Sequence, residues 1–190
     1  MGRRERGAEL FELAVILPFL LILVAGVVDF AQGWNLRQIL ANAARDGARL
    51  GSDTPYLDLT YSSPQSIQDI CQQVADYLIQ ANVNPAFMGI TGTSSSAVTT
   101  GCSSPQTTVN SAGAVTVATY YSSGTYGLKI EPELQVPTGC GGVGDTCIGS
   151  TRVTLIYPYT WTTMGTSFFG NGLNSTIPIQ VYSTMSNNGI

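Results

Sequence analysis

Residues 7–29 read GAELFELAVILPFLLILVAGVVD, and this stretch decides the architecture. From Leu13 to Val28 there are 16 residues with no charged or polar side chain. As a helix at ~1.5 Å per residue the run covers about 24 Å, short of the ~30 Å hydrocarbon core of a bilayer. Extension to Trp34 gives 22 residues with one charge, Asp29, which is long enough to span. Trp34 then suits the far interface, and Asp29 lies near it rather than at mid-bilayer. A cleaved secretory signal is the competing reading, since it too has a basic start and an apolar run of this length. Its cleavage site would be Ala31-Gln32-Gly33. Against it, Glu9 and Glu12 stand between Arg3, Arg4, Arg6 and the run, where such a signal has no use for acids.

The acids have another explanation. Gly7 is followed five residues on by Glu12, which enters the apolar helix. This spacing resembles the processing site of type IV prepilins and pseudopilins. The resemblance implies cleavage after Gly7 by a prepilin peptidase on the cytoplasmic side, leaving a new amine on Ala8. Glu12 lies one helical turn from that amine. In a bundle, its carboxylate can neutralise the amine of a neighbouring subunit, and a buried carboxylate without such a partner is costly. The wider window, Arg6-Gly7-Ala8-Glu9-Leu10-Phe11-Glu12-Leu13-Ala14-Val15-Ile16-Leu17-Pro18, resembles the opening of the TadE-like family, pseudopilins of the tight-adherence (Flp) pilus system. Gly26-Val27-Val28-Asp29 matches the Gly-aliphatic-x-Asp that follows the family's apolar run. Arg37 to Arg49 matches its Ala/Arg-rich helix. The resemblance covers about residues 3–50. Leu13 stands where the family usually has an aromatic, and Glu9 adds a second acid near the cut.

Within the span, Pro18 removes a backbone hydrogen bond, which a membrane helix tolerates when its neighbours re-satisfy the freed carbonyl. Gly26 and Gly33 are seven apart, so they share a helical face that could admit a close helix neighbour. Beyond the span, Leu36, Leu40, Ala43, Gly47 and Leu50 recur at helical spacing. Arg37, Arg45 and Arg49 lie on another side, either as a solvated face or as a basic contact surface for pilus subunits or lipid headgroups.

Charge divides the chain. Residues 1–50 carry six Arg and five acids, whereas residues 51–190 carry Lys129, Arg152 and seven acids, for a chain total of −4. So acidic a chain, with one lysine, is a poor partner for nucleic acid. The sequence contains no histidine, which removes Ser-His-Asp and Cys-His catalysis and the commonest transition-metal ligand. Neither a metal site nor a cofactor is expected, and no catalytic residue is assigned. The Gly-rich loop Thr138 to Gly149 lacks the Lys-Ser/Thr of a phosphate-binding loop.

The body after residue 51 reads as one amphipathic helix followed by strands. Ser63-Pro64 opens a helix whose stripe is Ile67, Ile70, Cys71, Val74 and Leu78, ending near Asn82. From about residue 97 the period becomes two, with strand candidates around 115–121, 126–131, 153–161 and 177–181 and a turn at Ser122 to Thr125. Pro158 and Pro178 argue for an edge or a bulge. Cys71, Cys102, Cys140 and Cys147 contain no C-x-x-C spacing, so a disulfide framework is expected, paired Cys71–Cys102 and Cys140–Cys147. Disulfides imply an oxidising compartment for the body.

The expected fold is therefore α+β. A basic leader (1–7) precedes a long transmembrane helix (8–50), which continues into an exported head (51–190). In that head one amphipathic helix packs on an antiparallel sheet of about four strands. The expected function, for which the family resemblance supplies the system, is a minor pseudopilin-like structural component of a tight-adherence pilus assembly or secretion machine. It would be single-pass in the bacterial inner membrane with its N-terminus cytoplasmic. Its expected partners are the membrane, other pilus or pseudopilin subunits and a prepilin peptidase. The alternative is a membrane-anchored envelope binding module with an adhesin-like head.

Overall fold

A computed structural model describes residues 5–53, 58–59, 63–111, 113–123, 125–136, 148–160 and 176–187. The elements in chain order are α1 (Glu5–Asp53), α2 (Gln65–Gln80), a 3-10 turn (Pro85–Met88), α3 (Ser95–Cys102), β1 (Gln106–Val109), β2 (Val115–Ser123), β3 (Tyr126–Val136), β4 (Ile148–Tyr159) and β5 (Ile177–Ser186). The chain divides into two compact units, one of residues 1–36 with 159–177 and one of residues 37–158 with 178–190.

The larger unit is α+β. Its sheet has five strands in the order β1-β2-β3-β4-β5, an antiparallel meander in which every strand neighbours its sequence predecessor. Alternation does the sorting. Leu128 and Ile130 of β3 and Val153 and Leu155 of β4 are wholly buried, while the intervening Lys129, Glu131 and Arg152 face the other way. Register pairs Leu128 with Leu155 and Ile130 with Val153, so the inward residues of both strands form one apolar patch. Across Pro132 the register shifts, between Glu131 and Leu134. Proline cannot donate to a ladder, so in this interior strand it sits at an irregularity. Pro158 lies beyond Ile156, the last β4 residue paired with β3, and Pro178 lies in the edge strand β5.

The helices supply the other half of this core. Ile67, Ile70, Cys71, Val74 and Leu78 of α2 are all fully buried, as the stripe requires. Leu40, Ala43, Ala44 and Ala48 of α1 are equally buried; Arg45 and Arg49 are exposed on its other side, while Arg37, also exposed, stands above Ala44 and Ala48 on the same face rather than with the other two. Gly47 brings three elements together. A Cβ there would stand 2.6 Å from Val74 Cγ2, 3.5 Å from Ile70 and 3.6 Å from Val153.

Helix α2 starts at Gln65, with Pro64 as its N-cap residue and no side-chain cap of its own. Asp58 takes over that role. Its carboxylate accepts from the Ser66 amide at 2.8 Å and from the Ser66 hydroxyl, placing negative charge at the helix N-terminus. The helix stops where Asn82 turns left-handed, at φ 58°. The structure differs from the sequence expectation in having five strands rather than about four, and a second helix, α3, across residues 95–102 where the period-two pattern was expected to start. Residues Ser95–Cys102 are poor intrinsic helix formers. They are held by the Ser94 cap on the Ala97 amide and by a disulfide from Cys102 to Cys71 of α2. Both of these cysteines are fully buried. The Tyr120 hydroxyl of β2 donates to the Cys102 carbonyl at 3.2 Å, and burial holds that phenol well above the ordinary tyrosine range. The pairing expected for Cys140 and Cys147 falls outside the described residues.

Candidate assembly site on the N-terminal helix

Gly7, Ala8 and Glu12 all lie in α1, which runs as helix from Glu5 through Pro18 without a break. Residues 8 and 12 are therefore one turn apart, and Glu12 is exposed. Pro18 has no amide to give the carbonyl four residues back, so Ala14 lacks its intrahelical donor.

From Leu10 to Trp34 the helix bares fifteen large apolar side chains, from Val28 at 44% exposed to Phe11 at 73%. Moving each from water to hydrocarbon gains roughly 1–2 kcal/mol, some 15–30 kcal/mol together. That sum exceeds the ~5–15 kcal/mol that holds a typical domain folded. This surface belongs in an apolar environment. The helix is long and apolar enough to cross a membrane by length and composition, with a mean hydropathy of 2.7 in its best window.

One strip of the helix differs from the rest. Ile22, Ala25, Gly26 and Gly33 are half-buried and Asp29 is fully buried, at a spacing that keeps them on one face. Within the same unit Tyr159 meets this strip. Its hydroxyl donates to the Asp29 carbonyl at 3.1 Å, and its ring lies against Gly33. The carbonyl of residue 29 points toward residue 33, where the absence of a side chain leaves it accessible. A Cβ on Gly33 would sit 3.5 Å from the ring, an ordinary contact, so the glycine clears the approach without being required for it. Burial, and secondarily the Asp29 charge, push the Tyr159 phenol upward. Phe30 and Trp34, one turn apart, stack with ring centres 6.3 Å from each other on the exposed side.

The structure thus groups Gly26, Asp29 and Gly33 on one face and sets Gly7, Ala8 and Glu12 at the other end of the apolar run. Sequence reading did not pick out Tyr159, which sits 130 residues from its Asp29 partner. Its only signal is a tyrosine at the end of an alternating strand, which reads equally as core. Among the described residues no cluster of His, Cys, Asp or Glu is placed to hold a metal ion.

Comparison with known proteins bears on this helix alone. No curated protein and no solved structure matches the chain. Residues 7–49 match the family model described as TadE-like protein, so the N-terminal segment is TadE-like, which implies a component associated with a tight-adherence pilus.

Proposed function

We propose that this chain is a minor pseudopilin-like structural component of a tight-adherence pilus assembly or secretion machine. In this reading α1 anchors it in the inner membrane with the N-terminus cytoplasmic and the sheet-bearing unit outside. The observation that carries the proposal is the bare apolar helix with Gly7, Ala8 and Glu12 at its head. Asp29 and the Tyr159 hydroxyl are polar groups at one level of the helix, so the hydrocarbon boundary falls just before them. Leu10 to Val28 then spans about 28 Å at ~1.5 Å per residue, close to the ~30 Å of a bilayer core. Phe30 and Trp34 follow at the interface, where amphipathic rings are favoured. The buried Cys71–Cys102 disulfide supports an oxidising compartment for the exported part.

Assembly in this reading is lateral. Prepilin peptidase cuts after Gly7, the new Ala8 amine meets the Glu12 carboxylate of a neighbouring subunit, and the apolar helices pack side by side. The role is structural rather than catalytic. N-terminal sequencing of the mature protein, from a host expressing its prepilin peptidase, tests it. A start at Ala8 is expected. A start near Trp34 would mean a cleaved signal, and an uncut Met1 a plain anchor; either sinks the pseudopilin reading. Deleting the gene separates the two functional classes. Loss of pilus assembly is expected here, whereas intact pili with lost adhesion would favour an anchored binding module.

A further inference from the structure

We propose that the outer face of the sheet binds an acidic polysaccharide of the uronate type, with Arg152 as the carboxylate anchor and Tyr182 as the stacking platform. The face opposite the apolar core carries a groove of about 520 Å³ lined by Lys129, Glu131, Arg152, Thr154, Gln180 and Tyr182, among others. That volume is in the range of small-ligand sites. Residues 51–190 contain only two cations, Lys129 and Arg152, and both line this groove.

The two cations are held differently. Lys129 is paired with Glu131 at 3.0 Å. Arg152 is held by neutral groups: its Nε donates to the Thr184 hydroxyl at 3.2 Å, and its guanidinium lies 5.7 Å from the centre of the Tyr182 ring. No acid among the described residues forms an ion pair with it: Glu131, opposite Arg152 in the ladder, is bonded to Lys129, so the three charged side chains leave the groove a net single positive charge, while ring and hydroxyl fix the guanidinium's orientation. A guanidinium has five N–H donors, so one bond to Thr184 leaves the fork that matches a carboxylate. Fixing it in advance lowers the ordering cost of binding.

The remaining groups select the kind of anion. Tyr182 is 68% exposed, so the ring surface away from Arg152 is open to water. A flat apolar surface of this kind suits the C–H face of a sugar ring, and Gln180 and Thr154 offer an amide and a hydroxyl to its hydroxyls. A dense polyanion is disfavoured, because the groove sets two cations against one acid, a net single positive charge, on a body of residues 51–190 with seven acids and two bases. A polysaccharide with widely spaced carboxylates meets one charge with one charge and fills the intervening surface with hydroxyls. An acidic peptide supplies the carboxylate without the flat face. The inference is independent of the pilus reading, since it uses only the sheet.

The test is titration calorimetry on the full chain in detergent micelles. The probes are a tetramer of alternating glucuronic acid and N-acetylglucosamine, which carries a carboxylate only on every second ring, its fully methyl-esterified form, and a tetraglutamate peptide. The acid tetramer is expected to bind about tenfold more tightly than the ester, which keeps every other group. R152A and Y182A should each weaken it by about tenfold, and R152K, which keeps the charge but loses the fork, by an intermediate factor. E131Q should tighten binding about two- to threefold by freeing Lys129, a gain that misfolding cannot produce. Equal binding of acid and ester, an unchanged R152A, or tetraglutamate matching the tetramer overturns the proposal. The last of these would point to a protein partner instead.

Discussion

Breaking the Cys71–Cys102 bond should cost the sheet-bearing unit about a third of a typical domain's stability. The bridge joins residues 31 apart. Chain-entropy reasoning puts the unfolded-state restraint of such a loop at about 12 cal/mol/K, or about 3.7 kcal/mol at 25 °C. Replacing both cysteines by alanine removes the restraint and leaves a small gap where the sulfurs stood, so the two effects act in the same direction. A single replacement would strand a buried thiol and confuse the reading. The assay is urea unfolding of C71A/C102A and the parent chain in micelles, followed by near-ultraviolet circular dichroism. With a slope of about 2 kcal/mol/M, the midpoint should fall by nearly 2 M. Because both sulfurs are fully buried, the native parent chain should also resist reduction by dithiothreitol until urea opens it. A midpoint shift below about 0.5 M would refute the reasoning, since the loop would then not be restraining the unfolded chain. Rapid reduction of the native parent would refute the burial argument separately.

Other perturbations follow from named contacts. Asp58→Ala removes the acceptor for both the amide and the hydroxyl of Ser66 and should cost about 1–2 kcal/mol in the same urea assay. Gly127→Ala should cost more than Gly47→Ala: a Cβ at 127 would collide with the Tyr120 carbonyl, which belongs to the ladder, whereas at 47 it displaces a valine methyl. The latter clash, worth about 1–3 kcal/mol, is partly offset by the ~1 kcal/mol helix preference of alanine over glycine. Tyr120→Phe should cost about 1 kcal/mol at neutral pH by losing the bond to the Cys102 carbonyl. The same variant should flatten the alkaline limb of stability. The folded phenol titrates above the unfolded one, so its contribution is intact below pH about 10 and is lost as pH rises beyond it. A parent chain whose stability is no more alkali-sensitive than the Phe variant would contradict this.

Much of this fold is legible in the chain because its segments are strongly periodic. The Leu40, Ala43 and Gly47 spacing and the Ile67 to Leu78 stripe each demand a covered helix face, and each has one. Leu128, Ile130, Val153 and Leu155 alternate cleanly because one face of the sheet is dry. What escapes reading has no such contrast. Strand β1, Gln106–Val109, is exposed or half-buried at every position, so nothing in its pattern separates it from a loop. It exists because Thr107 and Thr108 pair with Ala118 and Val117 of β2. Helix α3 is held by a cap and a cross-link rather than by propensity. At the candidate sites, Gly7, Ala8 and Glu12 are visible as a spacing, since helical geometry is local. The meeting of Tyr159 with Asp29 and the stacking of Arg152 on Tyr182 depend on tertiary placement, which spacing does not encode.

The meander order has a consequence for how the molecule is made. Each strand pairs with the one synthesised just before it, so no strand has to insert later between two that are already joined. Cys71 and Cys102 both precede the first strand, so the cross-link between α2 and α3 can close before any of the sheet has emerged. A chain delivered from its N-terminus onward can then add one strand at a time to a brace already locked, and at each stage only the newest edge awaits a partner.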